Sequence, residues 1–234
     1  MAAKEQQRQK KLAKKRSKDL AKKRDAAREK NRMQSFAGRF DAALTGPIDR
    51  CMVSEALFNS PTKFGSLLVS RRMPDGRLCV VRMLIDGLCL GVKSVHPMFC
   101  YPAQLTELVE NGPEDIISIT PQAAKKLVEQ AIDFAAKFGI EPAPGYRKVA
   151  AVFDGIDASE CKSDFEFGRD GQPVFIAGPH DTDQRIGEIT DKLSASVGEG
   201  NYTVEYDEAY GLDDELAGTS WTDDPELDAD IDAD

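Results

Sequence analysis

The sequence predicts an α+β fold: a single domain with a mostly antiparallel sheet and packed helices, between a basic N-terminal arm and an acidic C-terminal tail. Three observations predict it. Two apolar runs, Phe64–Arg71 and Leu78–Ile85, flank a Pro74-Asp75-Gly76 turn, which is the pattern of a β-hairpin. The segment Pro121–Phe138 has Thr120 before it, Pro121 at its first helical position and Gly139 after it, the punctuation of a helix. The element order is two helices, a hairpin with a further strand, two helices, a strand and a second hairpin, then a helix and a strand. That order is one of an α+β domain.

Taken in order, Phe36, Phe40 and Leu44 repeat every four residues until Gly46-Pro47 interrupts them, and Ile48, Met52, Ala56 and Leu57 repeat the pattern until Asn59-Ser60-Pro61. Both read as short amphipathic helices. In the hairpin, Leu78–Ile85 is nearly all apolar, as a central strand covered on both faces would be. Gly87 bends the chain before a strand at Leu88–Val95. Helices follow at Ala103–Glu110 and Pro121–Phe138, the second with a stripe of Ala124, Leu127, Val128, Ala131, Ala135 and Phe138. A strand is expected at Lys148–Phe153 and a second hairpin, with a Gly-containing turn, across Asp164–Ile176. Asp181 or Thr182 caps a helix to about Ser196, and a last strand runs over Tyr202–Tyr206.

Charge divides the chain into three zones: residues 1–34, 35–206 and 207–234. The first carries 14 Lys/Arg and 4 Asp/Glu, a net charge of +10; residues 204–234 hold 13 acids and no base, against −9 for the whole chain. Neither flank can bury enough apolar surface to offset backbone ordering, about 1–2 kcal/mol per residue. The tail is therefore expected to be disordered. The arm has helix-favouring residues but no apolar face, and is expected to be a frayed or disordered helix that orders on an anionic partner. No apolar run reaches the roughly 18 residues of a transmembrane helix. The N-terminus has no secretory signal pattern. Five cysteines, odd in number and without a CxxC pair, fit a reducing cytoplasm.

Three segments carry a resemblance: Leu84-Ile85-Asp86-Gly87-Leu88-Cys89-Leu90-Gly91-Val92-Lys93, Phe167-Gly168-Arg169-Asp170-Gly171-Gln172-Pro173, and Gly198-Glu199-Gly200-Asn201-Tyr202. With them the chain resembles a group of uncharacterised bacterial proteins over about residues 64–205. The resemblance implies a bacterial cytoplasmic domain and assigns no activity, cofactor or site residue.

The strongest functional feature is the arm, where Lys10, Lys11, Lys14, Lys15, Arg16, Lys22, Lys23 and Arg24 place positive charge all around a helix. This suits the phosphates of RNA, DNA or the ribosome, with counterion release and without base reading. An acidic protein partner and a merely solubilising arm are the other readings. In the tail, Tyr210, Leu212, Leu216 and Trp221 stand among acids, as anchors for docking on a partner protein would.

Other groups read as structural. Cys79, Cys89, His96 and Cys100 match no zinc spacing, and the tail acids match no EF-hand, so neither a metal nor a cofactor is expected. Cys89 with Asp86 and His96 or His180 has the residue types of a nucleophilic site, and Asp154 and Asp157 follow an apolar run, but the same residues are ordinary strand and turn formers. The expected function is sequence-independent contact with nucleic acid or ribosome, with a protein–protein adaptor as the alternative and an unfamiliar enzyme behind both.

Overall fold

The computed structural model describes residues 14–18, 20–24, 35–179 and 181–206. The chain divides into two compact units. In the first, the described residues are 14–18, 20–24 and 35–42; in the second, 43–179 and 181–206. Residues 14–18 and 20–24 are helical and exposed, and the next helix is α1 (Phe36–Leu44). Phe36 and Phe40 are buried one turn apart, their rings stacked at 5.7 Å.

The second unit is α+β. Strands β1 (Ile48–Ser54), β2 (Phe64–Arg72), β3 (Leu78–Asp86), β4 (Gly91–Cys100) and β5 (Ile116–Ile119) form one antiparallel sheet in the order β4-β3-β2-β1-β5. The predicted hairpin is β2–β3, with Arg72 opposite Leu78. β3 has neighbours on both sides, which accounts for its apolar run. Alternation sends Met52, Leu68, Leu78 and Val80 to one face, where they pack with Leu105 of α3 (Pro102–Glu110). The opposite face carries Leu67, Val69, Val81 and Met83, all fully buried. Helix α4 (Pro121–Ala136) lies against β1 to β4. Thr120 caps it as expected, its Oγ1 accepting from the Ala123 amide at 3.2 Å. Gly91, at φ +68°, lets β4 approach: a Cβ there would lie 2.8 Å from the Ala131 carbonyl oxygen.

After two short helical pieces, α5 (Tyr146–Val149) and a 3-10 turn (Ala150–Phe153), comes a βαβ unit. It comprises β6 (Val174–Ala177), α6 (Asp183–Val197) and β7 (Thr203–Tyr206), with β6 and β7 pairing in parallel. Phe175, Ile189 and Leu193 join Cys89, Phe134 and Phe138 in a second core cluster.

Four expectations are corrected, and one element is added. Ile48–Ser54 is a strand, with only the four-residue helix α2 (Ala56–Asn59) behind it. The four-residue apolar spacing fits a helix, but Cys51, Met52, Val53 and Ser54 are buried consecutively, as in a strand between β2 and β5 covered on both faces. The strand expected at Leu88–Val95 begins at Gly91, because the Asp86 carboxylate takes the Leu88 and Cys89 amides and holds residues 87–90 in a turn. Lys148–Phe153 is helical: Val149, Val152 and Phe153 are buried at helical spacing. Of the second hairpin the turn forms, with Arg169 bridged to Gln172 around Asp170-Gly171, both at positive φ, and its second strand is β6; residues 164–167 are not a strand, and β6 pairs with β7 instead. β5 was not expected; it is a short edge strand with no buried residue. The tail residues 207–234 lie outside the described residues.

Candidate functional site

Six of the eight predicted arm residues fall on described helix. Lys14, Lys15, Arg16, Lys22, Lys23 and Arg24, joined by Lys18, are all exposed. At 3.6 residues per turn, Lys14, Lys15 and Arg16 step about 100° apart around the first stretch, with Lys18 beside Lys14, and Lys22, Lys23 and Arg24 step in the same way around the second. Leu20, the only large apolar residue among them, is 64% exposed. The described arm therefore presents cations in every direction and offers no apolar stripe to a membrane or a coiled coil. Lys10 and Lys11 lie outside the described residues, as do the tail positions Tyr210, Leu212, Leu216 and Trp221.

In the core, the structure joins Asp86 to Cys89, but for packing. Asp86 Oδ1 accepts from the Leu88 and Cys89 amides, each at 2.9 Å. Burial raises the Asp86 carboxyl above its usual value against those hydrogen bonds and the charge of Lys93. Burial also pushes the Cys89 thiol far up, with Asp86 adding to the shift, and the Cys51 thiol to about 12 against the opposing charge of Arg71. A nucleophilic cysteine needs the reverse environment. His96 sits exposed on β4 opposite Arg82, and His180 lies outside the described residues. Cys79 pairs with Phe99 while Cys100 pairs with Leu78, so alternation sends the two cysteines to opposite faces. Among the described residues no three His, Cys, Asp or Glu side chains gather as a metal site.

Of the two carboxylates after the 3-10 turn, that of Asp157 does local work. Asp157 accepts from the Ser159 amide at 2.9 Å and hydroxyl at 2.7 Å, and those bonds hold its carboxyl below the usual range. Thr182 caps α6, accepting from the Arg185 amide at 3.3 Å. Asp181 instead takes the Gly178 amide and pairs with Arg185.

Two polar arrangements were missed by sequence reasoning. Arg71, only 6% exposed, donates to the Val152 carbonyl at 2.8 Å, Leu44 at 3.2 Å, Gly46 at 2.9 Å, and to Asp154. Burial lowers its pKa, but it serves as a clamp joining the chain after α1 to the 3-10 turn. The other is a network on the sheet. The Ser66 hydroxyl donates to Glu114 Oε1 at 2.5 Å and accepts from Arg82 Nε at 2.9 Å, while Arg82 Nη2 also reaches Glu114 at 3.2 Å. Its signal was present: Arg82 is the one charge within Leu78–Ile85.

No protein family, curated protein or solved structure matches the chain. The structure holds the α+β, mostly antiparallel fold. No helix among the described residues is long and apolar enough to cross a membrane.

Proposed function

We propose that this chain binds nucleic acid through the phosphate backbone, free or within a ribosome, by means of its basic arm. The observation that carries the reading is the exposed helical residues 14–18 and 20–24, with seven described cations and no apolar face. A helix of this kind meets a polyanion in any rotation. It has no aromatic residue for base stacking and no pair of side chains set to read a base edge, so binding is indifferent to sequence. The core carries the arm and acts as a binding body rather than as a catalyst: burial holds the Cys51, Cys89 and Cys100 thiols protonated, and Asp86, Asp157 and Asp181 are used in local turns.

The test is binding of the full chain to random-sequence duplexes at about 50 and 200 mM salt. Neutralising six or seven phosphates on duplex DNA gives a log–log salt slope of about −5 to −6, and an affinity loss of about a thousandfold over that range. Changing Lys14, Lys15, Arg16, Lys22, Lys23 and Arg24 together to Gln is expected to remove most of that slope. An unchanged slope and affinity in this variant would overturn the proposal.

A further inference from the structure

The seven cations of residues 14–18 and 20–24 are exposed, and among the described residues none of their side chains makes an ion pair. Like charges one turn apart on a helix, such as Lys14 and Lys18, repel each other. These helical stretches thus carry a charge that nothing described offsets, and they have no apolar face to bury. What covers them must be anionic.

The sequence holds a complementary segment. From Asp224 to Asp234 every second residue is an acid: Asp224, Glu226, Asp228, Asp230, Asp232 and Asp234, with no base between them. In an extended backbone, alternate residues project to the same side about 6.6 Å apart. Lys14 and Lys18, on one side of their helical stretch, stand about 6 Å apart along its axis. Six acids against seven cations also come close to neutrality. The run Asp213-Asp214-Glu215 lacks this period.

We propose, on the nucleic-acid reading of the arm, that residues 224–234 bind the basic arm of their own chain and shield it from polyanions other than nucleic acid. Attachment to the same chain supplies the acids at an effective concentration of the order of millimolar, so pairs that are individually weak suffice. Duplex nucleic acid still displaces them. It carries one charge per about 1.7 Å, against one per about 6.6 Å in an extended 224–234 segment, and its binding releases condensed counterions. A partner with sparse negative charge, such as an acidic protein, has neither advantage and is kept off. The segment therefore selects among polyanions by charge density, which exposed cations alone do not do.

The experiment compares the full-length chain with the full-length variant Asp224→Asn, Glu226→Gln, Asp228→Asn, Asp230→Asn, Asp232→Asn, Asp234→Asn, both ¹⁵N-labelled and checked for the same thermal midpoint. Without nucleic acid, at about 50 mM salt, the amides of residues 14–18 and 20–24 are expected to shift between the two forms, and less so at about 200 mM, where screening is stronger. No shift at low salt would overturn the proposal. Shifts that fade on dilution would place the segment on a second copy and overturn the same-chain assignment. Binding to a random-sequence duplex is expected to be about tenfold tighter for the variant at about 50 mM salt, and within about twofold of the parent at about 200 mM. Measurable but equal affinities at low salt would overturn the shielding. Absence of duplex binding by both forms would instead refute the nucleic-acid reading of the arm, and the amide shifts then decide the contact alone.

Discussion

Replacing Arg71 with methionine tests whether the clamp holds the second unit together. The side chain is buried at the end of β2, and all three guanidinium nitrogens donate, reaching four backbone carbonyls on two separate segments: Leu44 and Gly46 on one, Val152 and Asp154 on the other. A hydrogen bond from a charged group contributes about 1.5–3 kcal/mol, but four bonds from one head group are not additive. Some of the carbonyls will regain water once the side chain is gone. The removal of one member of a buried charged network costs about 3–5 kcal/mol, so about 4 kcal/mol is the working figure for Arg71→Met. With a urea m-value of about 2 kcal/mol/M, the midpoint falls by about 2 M. Arg71→Lys keeps the charge but offers three donors from a single nitrogen, which cannot span both segments, and it is expected to lose about half as much. The assay is urea denaturation followed by circular dichroism, with m compared between variants to check that the transition stays two-state. A midpoint for Arg71→Met within about 0.3 M of the parent would refute the clamp.

Three further outcomes follow from the same geometry. Burial raises the Asp86 pKa in the folded state, so its contribution to stability is complete below the unfolded value near 3.8 and is lost as pH rises through the folded value. The difference in stability between Asp86→Asn and the parent should therefore shift in favour of the variant as pH rises from about 4. A flat difference in thermal melts would contradict this. Cys51, Cys79 and Cys89 are buried in the native chain, and the Cys51 and Cys89 thiols are pushed upward. Iodoacetamide at pH 8 should label Cys161 first and leave these three unmodified, as read by peptide mass spectrometry. Gly91→Ala adds a Cβ to a residue at φ +68° and brings it to 2.8 Å from the Ala131 carbonyl oxygen. A loss of about 2–4 kcal/mol is expected, and a loss below about 1 kcal/mol would mean that α4 moves away at little cost.

The elements legible in the sequence are those whose local chemistry agrees with their tertiary setting. Pro74-Asp75-Gly76 sets the β2–β3 turn, and Thr120 with Pro121 starts α4; in both, nearby residues suffice. Ile48–Ser54 was misread because an apolar spacing of four fits a helix as well as a strand, and only the neighbours β2 and β5 decide between them. Lys148–Phe153 failed in the opposite direction, its short apolar run being as compatible with one helical turn as with a strand. The clamp at Arg71 leaves no local trace, since its four acceptors lie about 25 and 80 residues away along the chain. Arg82 inside an apolar strand did leave one, and it leads directly to Ser66 and Glu114.

The hydrogen bonds in this core show what its reactive groups are used for. A catalytic constellation keeps acids, bases and nucleophiles close together, accessible and poised near the working pH. Here the groups with suitable chemistry are held elsewhere by their own neighbours: Asp86 by the Leu88 and Cys89 amides, Asp157 by Ser159, Asp181 by Gly178 and Arg185. The Cys51 and Cys89 thiols are held protonated by burial. Residues 14–18 and 20–24 stand apart, exposing cations with no apolar stripe. Gln substitutions there should weaken duplex binding and leave the thermal midpoint of the chain unchanged. A midpoint that moved with them would mean that these residues serve the fold as well as binding.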